Sequence, residues 1–430
     1  MTSRTRICIV TPGSLGSNPR VVKEAQALSD SGHDVAVIST RTPGIVDKLD
    51  HDVLASAKWQ AWRLDLRRSR AMWRLRRLKQ SVNARAFSAT GRVGFAERGF
   101  SPFTNPLLAA AKRIPADLYI AHYPAALPAA AAAARDHGTR YAYDAEDFHL
   151  GDLPELPEHA EEQRMLRAIE ARYLPGCAHV TAASPGIADA YAEAYGIARP
   201  KVLLNVFPRA HAPKGPTPAG TAAPGPSVYW FSQTIGPHRG LECAVRAIGI
   251  ARSRPHLYVR GTPAAGFLER LRAIAAESGA SDRLHMLAPA APSEMERLAA
   301  SYDLGFVGET GHTQSRRVAL TNKLFSYLLA GVPAVFSDIP AHRALAAELN
   351  GAARMYQTDD ARSLAATLDS LLENPTALTE AREKAFRLGQ ARFNWDVEKT
   401  ILQERVASTL AGRSQGSRAL VSHSITTESC

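Results

Sequence analysis

Apolar runs of strand length alternate with amphipathic helical patterns along almost the whole chain, and this alternation limits the fold more than any other feature. Strands are predicted in the first half at 7–11, 35–38, 118–121, 141–143, 180–183 and 202–204. Those in the second half are predicted at 228–231, 257–259, 284–287, 304–307, 334–336 and 354–356. A regular β-α order is typical of parallel sheets covered by helices on both faces. We therefore predict an α/β protein.

The alternation stops once, at residues 207–227, where six prolines and three glycines indicate a linker. A chain of 430 residues is also too long for one compact core. We predict a first doubly wound domain at 1–206 and a second at 228–390. A helix at 391–411 closes the fold, and the polar, aperiodic tail at 412–430 is predicted to be disordered.

Positive charge is concentrated in one segment, although the whole chain has a formal net charge of +11. Residues 58–98 contain twelve Lys or Arg against two acids, interleaved with Trp59, Trp62 and Trp73. An apolar stripe at helical spacing accompanies them. This pattern favours a helix lying on an anionic membrane. A basic stripe is also the footprint of nucleic-acid binding, and a solvated helix covering its own domain is the third interpretation.

The compartment is predicted from what the sequence does not show. The first residues lead straight into a strand, with no run that reads as a signal peptide, and no apolar stretch is long enough to span a membrane. The four cysteines share no close spacing, which indicates buried thiols rather than disulfides or a zinc site. We expect a cytoplasmic protein, either free or peripheral on the inner face of the membrane.

Glycines and cations follow two predicted strands of the second half. Gly236, Arg239 and Gly240 lie in a turn after one strand, and Asn322 and Lys323 open the helix of "ALTNKLFSYLLAGVPAVFSD". Ligands bind outside the carboxyl ends of parallel strands, and helix N-termini attract phosphate. We therefore predict that Arg239 and Lys323 together neutralise a diphosphate leaving group. An ordinary turn and an ordinary buried helix remain the alternatives.

Titratable side chains follow the strands of the first half. His122, Glu146 and Asp147 lie near strand ends and are candidates for acid, base or orienting roles. Gly13 and Gly16 form a loop that would admit an acceptor or a phosphate. No spacing typical of metal ligands accompanies these residues, so we expect neither a metal nor another cofactor.

Several stretches resemble the family 4 glycosyltransferases. They are "SNPRVVKEAQALSDSGHDVAVIS", "AHYPAALPAAAAAARDHGTRYAYDAED", "RVALTNKLFSYLLAGVPAVFSD" and "RFNWDVEKT". The resemblance implies the GT-B fold, two Rossmann-like domains facing a central cleft, and retaining transfer from a nucleotide-sugar without a metal. It further implies a donor site in the second half and an acceptor site in the first. Surface polysaccharide or glycolipid synthesis is the expected setting.

The chain departs from that family at its paired glutamates. Val318 and Ser326 stand at the two glutamate positions, the second of which usually holds the donor ribose. Ser326 is therefore expected as a weaker ribose contact, with Glu309 as a possible substitute. The departure keeps two alternatives open, a non-catalytic binding protein of the same shape and a nucleotide-sugar epimerase.

Overall fold

The structure is a computed structural model that describes residues 4–216 and 224–423. The chain forms two compact units. The first contains the residues up to Ala183, Ile187–Leu203 and the residues from Lys399 onward, and the second contains Ser184–Gly186 and Leu204–Glu398. The division at Leu203 lies three residues before the predicted domain end at 206. The centre of the predicted linker, 217–223, lies outside the described residues.

The first unit is built on a seven-stranded parallel sheet with strand order β3-β2-β1-β4-β5-β6-β7. The strands β1, β4 and β5 are largely or fully buried, as expected for a sheet covered on both faces. The strands are β1 Arg6–Val10, β2 Asp34–Thr40, β3 Gln60–Leu64, β4 Leu118–His122, β5 Arg140–Ala145, β6 Val180–Ala182 and β7 Lys201–Val202.

Eight helices connect these strands, and local sequence signals set their ends. The Asn18 side chain accepts a hydrogen bond from the Val21 amide at the start of α1, and Pro19 occupies the first helical turn. Ser69 caps α3 in the same way, and Gly91 ends it with a φ of 67°. The helices are α1 Pro19–Asp30, α2 Ile45–Ser56, α3 Arg70–Thr90, α4 Val93–Phe100, α5 Thr104–Ala111, α6 Leu127–Asp136, α7 Ala160–Tyr173 and α8 Pro185–Tyr195.

The second unit repeats the arrangement with six parallel strands in the order β10-β9-β8-β11-β12-β13. Its strands are β8 Ser227–Ile235, β9 His256–Pro263, β10 Leu284–Leu287, β11 Leu304–Val307, β12 Ala334–Ser337 and β13 Ala353–Tyr356. Its helices are α9 Leu241–Ile250, α10 Phe267–Glu277, α11 Met295–Ala299, α12 Gln314–Val318, α13 Asn322–Ala330, α14 Pro340–Leu349, α15 Ala361–Leu372 and α16 Pro375–Ala391.

The last helix, α17, runs from Trp395 to His423 and is longer than predicted. Its residues from Lys399 onward belong to the first unit. There the Arg140 guanidinium donates to the Thr409 carbonyl oxygen over 2.9 Å, and the Thr409 hydroxyl lies 2.7 Å from His179 Nδ1. Residues 412–423, which were predicted to be a disordered tail, continue this helix, and 424–430 lie outside the described residues.

The basic segment 58–98 differs from the prediction in one element. Residues 60–64, which the sequence did not indicate as a strand, form the edge strand β3. The predicted basic helix is α3, which is 21 residues long. Within the described parts of the chain, neither this helix nor any other combines the length and apolar character needed to span a bilayer.

Candidate functional site

The glycine-rich turn after β8 brings the backbone of two loops into direct contact. Gly240 has a φ of 67°, and a Cβ at this position would lie 2.4 Å from the Gly308 carbonyl oxygen. Only glycine fits there, for both reasons. Gly236 differs, because a Cβ would meet only Ala264 at 3.9 Å and its backbone does not need glycine. The close contact holds Arg239, beside Gly240, against the loop that follows β11.

Arg239 and Lys323 both interact electrostatically with one carboxylate, that of Glu309. The Arg239 Nη1 atom lies 3.4 Å from Glu309 Oε1, and the Arg239 side chain is 28% exposed. Lys323 is buried, with Nζ 5.4 Å from the centre of the Trp230 ring. Arg239 and Glu309 thus follow the ends of β8 and β11, and Lys323 lies in the first turn of α13. The joint binding of a diphosphate by Arg239 and Lys323 stays a prediction.

The electrostatics of this cluster follow from burial. Burial lowers the pKa of Lys323 to about 8, and Arg239 and Arg316 act in the same direction while Glu309 opposes them. Burial would raise the pKa of Glu309, but Lys323, Arg239 and Arg316 outweigh it and lower that pKa. The cluster therefore combines three cations with one carboxylate, which leaves a positive excess suited to an anion.

The start of α13 adds backbone donors to the same region. Thr321 is the N-cap residue, but among the described residues its side chain receives no capping hydrogen bond. Asn322 and Lys323 are the first two residues of the helix. Amides of an uncapped first turn are available to bind an oxyanion. The geometry at Asn322 and Lys323 is thus compatible with the predicted phosphate site.

Ser326 does not point to a ligand, contrary to the expectation of a ribose contact. Its side chain is buried, and its hydroxyl donates to Glu296 Oε1 over 2.6 Å. Glu296 is also fully buried, and its other oxygen, Oε2, lies 3.5 Å from His211 Nδ1. Glu309, the suggested substitute, accepts a hydrogen bond from Arg239 at Oε1 over 3.4 Å, whereas its Oε2 atom has no hydrogen-bond partner among the described residues. Ser326 is therefore not placed as a ribose contact, and the role of Glu309 stays a prediction.

His122 lies inside the first unit rather than at a surface where a substrate could reach it. It is fully buried at the end of β4, with Nε2 3.1 Å from Glu24 Oε2 and Nδ1 3.4 Å from Asp144 Oδ2. Burial alone would lower the pKa of His122, but Glu24 and Asp144 outweigh it and raise that pKa. His122 thus joins two buried carboxylates, and its catalytic role stays a prediction.

Arg20 is the cation that balances these carboxylates. Its Nε and Nη2 atoms donate to the two Asp144 oxygens over 2.6 and 2.7 Å, and Nη1 donates to the Leu203 carbonyl oxygen over 3.0 Å. Glu24, His122 and Asp144 are close enough together to hold a metal ion. The guanidinium already supplies positive charge to Asp144 and lies 3.5 Å from Glu24. The residues thus fit a buried ion network better than a metal centre.

Glu146 and Asp147 lie beyond the end of β5 and are half-buried. Tyr123 donates a hydrogen bond to Glu146 Oε2 over 3.2 Å, and burial and the neighbouring Asp147 raise the pKa of Glu146. The Tyr123 ring packs against His149 at 5.4 Å between centres. Burial opposes protonation of His149, but Asp152, 2.9 Å from Nδ1, raises its pKa to about 9. This group of polar and aromatic side chains is suited to binding hydroxyl groups.

The predicted acceptor-side loop is shaped by packing rather than by space for a ligand. A Cβ on Gly16 would lie 2.5 Å from the Leu49 Cβ atom in α2, and the Gly16 amide donates to Asp50 Oδ1 over 2.6 Å. The Gly13 amide donates to the Thr11 hydroxyl over 3.2 Å, and its carbonyl oxygen accepts from the Thr40 amide. Packing therefore explains the glycine at position 16, and the acceptor-side role of Gly13 and Gly16 stays a prediction.

The sequence analysis missed several residues of these clusters. Arg20 and Glu24 are spaced by four on α1, so two opposite charges on an otherwise apolar face were a usable signal. Glu296 and Arg316 gave no such signal, because each meets its partners only through the tertiary fold. Tyr123 has a φ of 66°, which no sequence pattern indicated.

The fold and these clusters define a class of protein. Both sheets have the doubly wound strand order, and polar clusters follow the carboxyl ends of strands in each unit. The chain is therefore a two-domain protein with Rossmann-like units, and the second unit has a cluster of three cations around one carboxylate.

Comparison with a family model identifies the class more closely. Residues 16–208 match the family model described as glycosyl transferase 4-like domain, and the predicted resemblance to glycosyltransferases is confirmed. No protein with a curated description matches the chain.

Solved structures support the fold at low sequence identity. HepE from Anabaena in complex with UDP-glucose is 17% identical, with a TM-score of 0.69 over 94% of this chain and 100% of that one. Sucrose-phosphate synthase from Thermosynechococcus elongatus is 13% identical, with a TM-score of 0.72 over 95% of this chain and 100% of that one. The lipopolysaccharide outer core galactosyltransferase WaaB is 12% identical, with a TM-score of 0.59 over 94% and 99% of the two chains. The predicted GT-B architecture is confirmed.

Proposed function

We propose that this protein transfers a sugar from a nucleoside-diphosphate sugar, bound by the second unit, to a glycan or lipid-linked acceptor, bound by the first. The observation that carries the proposal is that Arg239 pairs with Glu309 and that Lys323, in the uncapped first turn of α13, interacts electrostatically with the same carboxylate. A diphosphate is the ligand that this combination of two cations and helix amides suits best.

The cluster would act on the leaving group. As the bond between the sugar and the diphosphate breaks, negative charge grows on the departing phosphate oxygen. Fixed cations in a partly buried site stabilise that charge more than water does. A UDP-hexose is the donor that we propose first, because HepE has been crystallised with UDP-glucose. We expect no metal, because Arg239 and Lys323 would supply the positive charge that a metal supplies elsewhere.

We further propose that transfer retains the anomeric configuration. In a retaining reaction the departing phosphate can accept the proton of the acceptor hydroxyl, so a separate base is not required. The enclosure of His122 between Glu24 and Asp144 agrees with this, because the imidazole is not exposed to remove a proton. On the acceptor side, Glu146 and Tyr123 are the groups that we expect to contact hydroxyls.

The test is nucleotide binding by matched variants. We expect Arg239→Ala and Lys323→Ala to weaken UDP-glucose binding at least about tenfold in calorimetry, which corresponds to about 1.4 kcal/mol. Arg270→Ala is the control, because this arginine is 64% exposed and pairs with Glu242 on α9. A thermal-shift screen with UDP-, GDP-, ADP-, TDP- and CMP-sugars identifies the donor.

Three outcomes would contradict parts of the proposal. Unchanged affinity in both variants would show that the diphosphate binds elsewhere. Binding of a nucleotide-sugar without turnover toward any acceptor would favour the non-catalytic alternative. Conversion of the donor into its epimer, read by product analysis, would favour the epimerase alternative.

We also propose that α3 docks on an anionic membrane surface, where a lipid-linked acceptor would be met. Four apolar side chains on one face of this helix are exposed, with Leu78 61% and Val82 54% accessible beside Met72 and Leu75. This exposure argues against a helix that covers its own core. On a helical wheel, Arg74 and Arg85 lie along one edge of the apolar row and Lys79 lies within it, so cations accompany the apolar side chains as suits anionic headgroups.

Vesicle flotation tests this docking. We expect recovery with anionic vesicles to exceed recovery with zwitterionic ones, and Leu75→Glu with Leu78→Glu to abolish the difference. Ile250→Glu, an exposed apolar position of the second unit, is the matched control. Equal recovery with both lipids would exclude the proposal, and tighter binding to RNA than to vesicles would favour nucleic acid. A cytoplasmic location and surface-polysaccharide or glycolipid synthesis are the setting that we propose.

A further inference from the structure

Two exposed histidines stack on each other beside Arg239 and Glu309. His238 follows β8 and His312 follows β11, and their ring centres are 4.2 Å apart with an interplanar angle of 17°. The loops that contain them are locked together. Gly240 contacts Gly308, and the Thr310 hydroxyl donates to the His238 carbonyl oxygen over 3.4 Å. The pair is thus a fixed part of the loops that place Arg239 and Glu309.

The charges around the pair oppose its protonation. Partial burial lowers the pKa of His312, and His238, Arg316 and Arg239 lower it further, while Glu309 alone opposes them. Apart from Thr310, whose hydroxyl lies 3.5 Å from Nδ1, no hydrogen-bond partner is described for the His312 ring. A protonated pair would therefore need an additional negative charge nearby.

We propose that His238 and His312 form a proton-dependent part of the donor site, in which the bound nucleoside diphosphate holds one proton on the pair. This inference rests on the proposed donor site and adds how that site responds to pH. The proton is taken from solvent when the diphosphate binds and is returned when it leaves, so no covalent step is involved. The diphosphate provides the negative charge that the two rings lack.

The direction of the pH dependence follows from linkage. Binding an anion raises the pKa of His312, so donor affinity increases as pH falls from neutral toward the pKa of the unliganded His312 imidazole. Below that pKa this imidazole is already protonated and no further increase occurs. The greatest slope for one proton is tenfold in affinity for each pH unit.

Calorimetry measures the proton directly. UDP-glucose is the probe, because its diphosphate bridge carries no proton that titrates near neutral pH. Binding is measured at about pH 6.5, where Lys323 is already charged, in two buffers of different ionisation enthalpy. We expect uptake of a sizeable fraction of one proton, and near-zero uptake for His312→Asn and for the double variant with His238→Asn. Asparagine is chosen because it tolerates the φ of 61° at His238.

The control separates this inference from the donor site itself. His256→Asn changes a histidine on β9 that pairs with His285, and it should leave uptake unchanged. Donor binding without proton uptake, or uptake that persists in the double variant, would overturn the inference and leave the proposed function intact. If no nucleotide-sugar in the donor screen binds, both the proposed function and this inference are overturned.

Discussion

The Ser326 hydroxyl donates a 2.6 Å hydrogen bond to the Glu296 carboxylate, and both side chains are fully buried. Ser326 thus stands where the resemblance predicts a glutamate, and its hydroxyl donates a hydrogen bond to a carboxylate from α11. A serine at this position avoids placing a second buried carboxylate beside Glu296, because two adjacent buried carboxylates would repel each other.

The first prediction concerns this pair. We expect Ser326→Ala to destabilise the second unit by about 1.5–3 kcal/mol, because it removes a hydrogen bond to a buried charged group. Ser326→Glu should destabilise it more, and adding Glu296→Gln should recover part of that loss. Denaturant unfolding measures all three. If Ser326→Glu is as stable as the unchanged protein, the carboxylate of Glu296 does not constrain this position.

The second prediction is a pH dependence from Lys323. Its pKa of about 8 means that the side chain loses its charge as pH rises through that value. Donor affinity should therefore fall between about pH 7.5 and about pH 9. This pH range is higher than the range in which the histidine pair would change donor affinity. In Lys323→Met the decline should disappear, and donor affinity should be low over the whole pH range. If the decline persists in this variant, a group other than Lys323 causes it.

The third prediction concerns the buried network of Arg20. Its side chain and that of Asp144 are almost completely inaccessible, so Arg20→Met leaves an unpaired buried carboxylate and should cost about 3–5 kcal/mol. Arg6→Met removes a pair with Asp34 in which both side chains are partly exposed, and should cost less than about 1 kcal/mol. Hydrogen exchange of the β4 and β5 amides measures the loss of stability in each variant. Equal protection in the two variants would contradict the prediction.

The fourth prediction is that metal removal has no effect. Because Arg239 and Lys323 are expected to neutralise the leaving diphosphate, transfer measured in excess EDTA should proceed at the untreated rate. Dialysis against magnesium-containing buffer is the comparison. A loss that magnesium restores would mean that the two cations are insufficient.

The sheets could be predicted from sequence because buried parallel strands are apolar and contiguous. Thus 118–121 was expected and β4 is Leu118–His122. β3 was missed because an edge strand has one neighbour and need not be apolar, and Gln60–Leu64 is partly exposed throughout. That Arg239 and Lys323 both interact with Glu309 was partly predictable, since Arg239 follows the end of β8 and Lys323 begins a helix in the connection between β11 and β12. The partners of His122 and Ser326 were not, because periodicity shows which face is buried but not what lies opposite.

The course of α17 has a consequence for biosynthesis. Thr409 binds Arg140 and His179 of the first unit, yet more than two hundred residues separate it from them in the chain. A ribosome must therefore finish the second unit before the first receives its last helix. Until then the first unit lacks the helical residues from Lys399 onward, and a fragment that stops before Lys399 would lack this part of the first unit.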